Sequence, residues 1–394
     1  MINKLLTNPF YIYVVSGLFL LGIYQLGWST LFPMLSVELK IFLGITFFVS
    51  ICFGIVFQKG IIRYYPYKNS FSYKPIFMTL VIVALFFIDY LYTGFLPIMR
   101  VDLDYSKYGA PGIHVVLISL SVFHAVTLFY IYLSKKSKEV LIQYVFVLIL
   151  QILLLRRSNI LWILFASFVI FLQQSKPIRI GKIVKYLLFL ILIINLLFGL
   201  FSDFRNHLGK NHAIKYMGAS NKFIQSGLNN SFYMFYLYSV SPIANLQSNI
   251  NVKSSEGNLS SNFFDYVVIN TLPESLKKRL VSSLDIVPQS TKTVLDVLNV
   301  STIYSSPFSY LGWIGAILIF FYFLSNIFLG YIISPPGTTF HVVINSLLCC
   351  SVVFCWFDNI FHLITTFLLL FIYPLFYRLY VSSVKIIKNM STNT

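Results

Sequence analysis

An all-α polytopic integral membrane protein is the fold class that this sequence predicts, and three observations carry the prediction. Hydrophobic residues make up 58% of the 394-residue chain and charged residues only 10%, where a soluble domain holds about 25% charged and 45–50% apolar residues. Mean hydropathy is +0.80. Apolar runs of spanning length recur along the chain, and a spanning helix needs about 20 such residues. The net charge of +17 therefore reports topology before it reports any nucleic-acid partner. Cys52, Cys349, Cys350 and Cys355 all fall in apolar segments, with neither a disulfide framework nor metal spacing. The opening MINKLLTNPFYIYVV has no small-residue cleavage site and reads as a retained first span.

Ten spans are expected, near 10–28, 37–58, 76–97, 111–133, 140–155, 158–174, 183–201, 306–333, 339–357 and 359–377. The fifth and sixth need an argument, because LLLRRSNILW (153–162) sets Arg156 and Arg157 inside one apolar run. A single helix over 140–174 would be about 52 Å long against a hydrocarbon core of about 30 Å. A fold-back at Arg156–Arg157–Ser158–Asn159 instead gives two short helices with the polar tetrad at the water boundary.

Cations then sort by alternate loops. One side collects Lys4; Lys59, Arg63, Lys68 and Lys74; Lys135, Lys136 and Lys138; Lys176, Arg179, Lys182 and Lys185; and Arg378, Lys385 and Lys388, with Glu139 the one acid among them. The short loops opposite carry only Lys40, Arg100, Lys107, Arg156 and Arg157. The positive-inside rule makes the first side cytoplasmic, with both termini there. The expected layout is a seven-span bundle (1–201), a large outer segment (202–305), and terminal hairpins with a short tail (306–394).

Arg156 and Arg157 thus face the side where cations are disfavoured. Snorkelling to headgroups would explain them; so would an anion held at the outer boundary, since a guanidinium grips phosphate oxygens bidentately and keeps its charge. The outer segment opens with SDFRNHLGKNH, crowding Asp203, Arg205, His207, Lys210 and His212 past a helix end. NNSFYMFYLYSVSPIANLQ (229–247) is expected to lie in the interface with its tyrosines at headgroup level, unless it spans. ESLKKRLVSSLD reads as a short helix whose Lys277, Lys278 and Arg279 are either a solvated face or a grip on anionic headgroups. Asp102 and Asp104 form a D-x-D that could ligate a metal, although two acids in a polar loop are commonplace. His114 opens the fourth span, and Asp358 and His362 sit at the outer end of the last hairpin. Asp89 and His124 lie within spans, where an ionisable group is a functional candidate by default; Asp89 could equally neutralise an arginine. Phosphate-cradling glycine loops, H-E-x-x-H and G-x-S-x-G are absent from the sequence.

Four stretches carry a family likeness: NPFYIYVVSGLFLLGIYQLGWSTLFPMLS, YGAPGIHVVLISLSVFHA, YLYSVSPIANLQ, and VSTIYSSPFSYLGWIGAILIFFYFL with its G-x-x-G at Gly312 and Gly315. In these, and in its single large outer loop, the chain resembles the O-antigen polymerases, the Wzy-type enzymes that join lipid-linked oligosaccharide repeats. The resemblance implies a membrane glycosyltransferase of GT-C-like architecture in the bacterial inner membrane. It would act at the periplasmic face on undecaprenyl-pyrophosphate-linked repeats, without nucleotide sugar, metal or other cofactor, with a chain-length regulator as a candidate partner. Carried over by context, the pyrophosphate-binding arginines are Arg156, Arg157, Arg205 and Arg279; the base is His207, with Asp203 next. Related ligases carry a His-Asn pair before a comparable glycine turn, where this chain reads Ser301-Thr302-Ile303-Tyr304-Ser305-Ser306. A flippase of lipid-linked oligosaccharides is the alternative, and an O-antigen ligase the next.

The orientation has a direct check. In a background without the native cysteines, Ser158→Cys is expected to react with a membrane-impermeant thiol reagent added outside intact cells, and Lys136→Cys only after permeabilisation. The reverse pattern would invert the topology.

Overall fold

The computed structural model describes residues 2–61, 75–99, 108–175, 181–182, 185–186, 217–256, 263–338 and 340–379. The expected span 183–201 lies almost wholly outside them, and Asp102, Asp104, Asp203, Arg205 and His207 lie outside them entirely. The described residues are helical throughout, with one isolated antiparallel bridge between Ser29 and Ala219. Five helices among them are long and apolar enough to cross a membrane: α2 (Val37–Ile61), α3 (Pro75–Thr93), α4 (Ile113–Lys135), α6 (Arg157–Gln174) and α10 (Ser305–Ile333). Shorter apolar helices are α1 (Pro9–Tyr24), α11 (His341–Phe354) and α12 (Ile364–Leu379, with a π turn at Leu368–Ile372). The remaining labelled helices are α5 (Lys138–Leu153), α7 (Asn230–Glu256), α8 (Phe263–Asn270) and α9 (Glu274–Ser283).

Hydrocarbon offers no hydrogen bonds, so each helix end and polar side chain must find its partner within the protein. At the start of α1, Asn8 accepts from the Phe10 amide at 3.0 Å and donates to the Gly54 carbonyl of α2 at 3.2 Å, with Pro9 at the first helical position. Helix α4 is the centre of one half, packed against α3, α5 and α6 and buried over 78% of its apolar window. A ladder of polar side chains pins this group. Thr79 of α3 meets His124 of α4 at 2.9 Å and Gln143 of α5 at 2.8 Å. Gln151 of α5 donates to Ser121 of α4 and accepts from Asn159 of α6, both at 2.8 Å. Such interhelical bonds contribute about 0.6 kcal/mol each on average. His124 is therefore a satisfied bundle histidine.

The fold-back expected near Arg156 is present. Helix α5 ends at Leu153 and α6 starts at Arg157, with Leu155 at φ 53° in the left-handed region. Tyr144 reaches Ser167 at 3.1 Å, which registers the two helices as an antiparallel hairpin. The bend is tighter than the sequence suggested, since Ser158 and Asn159 already belong to the first turn of α6.

In the other half, α11 is nearly all buried, and packs on α1, α6 and α10. Just past its end Trp356 stacks on Tyr13 of α1 at 5.0 Å and donates its indole N–H to Ser16 at 3.0 Å. Tyr13 in turn meets the Tyr304 hydroxyl at 2.6 Å and Thr46 of α2 at 3.0 Å. Helix α7 packs along α1 and α10, and Tyr233 and Tyr236 are buried where its ring face meets Trp28, Phe32 and Phe223. Asn245 and Asn249 of α7 then tie down the connection to α10, bonding the backbone at Lys292, Val294, Leu298 and Val300.

The G-x-x-G of the sequence marks a break in α10. Gly312 has φ 60° and ψ −141°, and a Cβ on Gly315 would stand 2.1 Å from the Pro307 carbonyl oxygen. A side chain at Gly312 would meet left-handed strain of about 1–2 kcal/mol, and at Gly315 a backbone clash. Both Gly312→Ala and Gly315→Ala are expected to lower the melting temperature in detergent, Gly315→Ala more. An unchanged melt for either would show that the break is not needed.

Candidate functional site

Several helix ends meet at one end of the bundle: the close of α3, the start of α4 and the α5–α6 bend. The chemistry there begins with Asp89, four residues before the end of α3 and fully buried. A buried carboxylate is costly unless it is hydrogen-bonded and its charge is matched. Its Oδ1 accepts from the Ala110 amide at 3.0 Å and its Oδ2 from His114 Nδ1 at 2.6 Å. The segment that brings His114 in is fixed by the same corner: the Thr93 hydroxyl donates to the Asp89 carbonyl, and the Gly109 amide donates to Thr93 Oγ1, each at 3.0 Å. Gly109 sits at φ 96°, and a Cβ there would lie 2.5 Å from the imidazole, so the turn before α4 needs a glycine. Tyr108 closes the other side, its ring edge-on to His114 at 5.6 Å.

The opposite ring nitrogen, His114 Nε2, lies 2.8 Å from an Arg156 guanidinium nitrogen. A guanidinium only donates, so Nε2 must accept, and the imidazole is the neutral form with its proton on Nδ1. Asp89, His114 and Arg156 thus form a relay in which a buried negative charge holds, through one ring, a cation at the α5–α6 bend. The arrangement aims and rigidifies a guanidinium at the mouth of the bundle. Its chemical capacity is to receive an anion there.

The other sequence candidates distribute as follows. Arg157 opens α6 beside Arg156 and is half-buried. Arg279 lies on the exposed side of α9, and no described contact brings it to Arg156. Arg205, His207 and Asp203 lie outside the described residues. The ESLKKR cations do not act together. Lys278 pairs with Glu274 at 2.7 Å on the surface, whereas Lys277 is half-buried, flanked by Leu280 and Val281, which pack in the α8–α9 cluster. Burial pulls the Lys277 ammonium below its usual value, opposed by the nearby Asp358 carboxylate. Asp358, in the turn after α11, is exposed as a residue, yet the protein around its carboxyl displaces enough water to push it above the usual 3.8. No group of three or more His, Cys, Asp or Glu side chains gathers among the described residues.

Sequence reasoning named Asp89, His114 and Arg156 separately and did not join them. The legible signal was an acid one turn from the end of α3 together with a histidine just after a Gly-Ala-Pro-Gly turn. No family model, curated protein or solved structure matches the chain.

The relay predicts energetic coupling. Asp89→Ala should cost about 3 kcal/mol or more by leaving a buried partner unmatched. Adding Arg156→Ala should cost less than the two single losses combined, with a coupling of about 0.5–3 kcal/mol. Thermal unfolding of the two single variants and the double variant in detergent measures this, and strictly additive losses would dissolve the relay.

Proposed function

We propose that this chain is a membrane glycosyltransferase that joins lipid-linked oligosaccharide repeats into a surface polysaccharide. The reading places it in the bacterial inner membrane as a ten-span, GT-C-like bundle with both termini cytoplasmic and the α5–α6 bend on the periplasmic face. The observation that carries it is the Asp89–His114–Arg156 relay, which holds a guanidinium at the bundle mouth. The apolar helices, the cation bias of the loops and the likeness to O-antigen polymerases support the same reading.

The donor is a glycan on undecaprenyl pyrophosphate, and the acceptor is the terminal hydroxyl of a second lipid-linked repeat. As the bond to the anomeric carbon breaks, negative charge grows on the departing pyrophosphate. A pre-aimed cation stabilises that charge more in the transition state than in the ground state, which is what raises the rate. Arg156 supplies the aim, with Arg157 adjacent and Arg205 and Arg279 as further candidates for the same anion. Losing one such donor typically costs about 10²–10³ in kcat. His207 and Asp203 stand as candidate bases from the sequence.

Arg156→Ala is expected to leave the protein inserted while surface glycans stop at one repeat, and Arg156→Lys to restore chains only partly, because an ammonium lacks the planar fork. Gel banding of surface glycans reads this. Full-length ladders from Arg156→Ala would overturn the assignment. In a gene deletion, the reading expects single repeats on the outer leaflet; unflipped repeats on the cytoplasmic leaflet would identify a transporter instead.

A further inference from the structure

A second polar recess lies where α8, α9, the start of α10 and the 355–362 turn meet. Asn359 is 9% exposed, and its side-chain N–H donates to the Asn270 carbonyl at 2.6 Å. Its Oδ1 is buried with no hydrogen-bond partner, although buried acceptors are almost always satisfied. Beside it, Asp358 Oδ1 accepts from the Asn359 amide at 2.7 Å. Within electrostatic reach stand Lys277, His362 and Glu274, but no ion pair joins Lys277 or His362 to Asp358 among the described residues. The His362 Nδ1–H donates to the Asn359 carbonyl.

The walls are firm. Ser306 donates to Asn270 Oδ1 at 2.7 Å, and the Tyr266 hydroxyl donates to the Gly315 carbonyl at 3.1 Å, fastening α8 to the broken stretch of α10. Trp356, just before the turn, is locked to α1. A carboxylate, an ammonium, an imidazole and an orphaned amide oxygen therefore converge on rigid backbone without closing on one another. That donor and acceptor set suits a polyhydroxyl ligand, because sugar hydroxyls both donate to carboxylate and amide oxygens and accept from ammonium.

We propose that this recess is the acceptor-sugar subsite and that Asp358 takes the proton from the attacking hydroxyl; the inference rests on the glycosyl-transfer reading above. In the step, the acceptor oxygen forms its bond to the donor's anomeric carbon. The bond from that carbon to the pyrophosphate oxygen breaks, and its electron pair leaves with the pyrophosphate. The acceptor proton passes to Asp358 and from there to solvent. Lys277 offsets the charge of the carboxylate through space, and Asn359 Oδ1 accepts from a neighbouring sugar hydroxyl. Desolvation raises the Asp358 carboxyl, against the pull of His362 and Lys277, and brings it closer to the range in which a general base works well.

The test uses the full chain in lipid nanodiscs with lipid-linked repeat extracted from the gene-deletion strain. Asp358→Asn is expected to lower kcat by about 10²-fold or more, with KM for the lipid-linked repeat changed less than about threefold. Asp358→Glu should recover measurable turnover. The wild-type kcat/KM should fall on acidification through a value above the ordinary carboxylate range, and that limb should vanish in the residual activity of Asp358→Asn. Glu139→Gln, at the exposed start of α5, should behave as wild type. If Asp358→Asn does not fold, Asp358→Glu and the wild-type pH profile decide: an acid limb at ordinary carboxylate values, or one unmoved by Asp358→Glu, overturns the proposal. Wild-type turnover that persists in Asp358→Asn removes this inference alone. Absence of wild-type turnover removes it together with the reading beneath it.

Discussion

A charge carried into an apolar helical bundle must be matched, and Arg156 is tied to a buried carboxylate through the His114 imidazole. Asp89 is buried, His114 spans the gap with its two nitrogens, and Arg156 receives the far end. Most of the surrounding geometry serves that line. The left-handed turn at Gly109 lets the backbone pass against the ring, Thr93 fixes the approach, and the α5–α6 fold-back delivers the arginine. A histidine is well suited to the middle place because it can donate on one side and accept on the other. Lysine or glutamine there would break one of the two bonds.

The two polar centres differ in kind. At the α5–α6 bend the ionisable groups close on each other in a chain, which holds a cation still. By the 355–362 turn no ion pair joins Asp358 to Lys277 or His362 among the described residues. Holding a leaving group calls for fixed charge in a set place; accepting a proton calls for a group whose charge is less secure. On the proposed reading, the bend would do the first and Asp358 the second.

How much of this was legible in the sequence follows from the physics of each signal. Apolar runs announce helices because hydrocarbon demands internal backbone hydrogen bonds, so the helix positions followed from composition. The fold-back followed from length alone, since 140–174 is too long for one crossing. The Asp89–His114 pairing was not readable, because it joins two helices through a turn whose path depends on Gly109. The packing of Tyr233 and Tyr236 was unreadable for a related reason: tyrosine favours both an interface and a packed protein seam, and only the neighbours of α7 decide. Lys277 was hidden inside a run of three cations. Helical geometry splits such a run, turning one residue inward and its neighbours out.

The lock of Trp356 on Ser16 and Tyr13 spans 340 residues of chain. Synthesis proceeds at about 5–20 residues per second, so the first helix waits roughly 20–70 seconds for the indole that completes its seat. Through that interval the Ser16 hydroxyl can fall back on the Ile12 carbonyl at 2.7 Å, a self-contained bond that lipid tolerates. The Tyr13 hydroxyl has Thr46 to lean on once α2 arrives. The early helices thus carry partners of their own, which they keep when the Trp356 indole arrives and adds its bond.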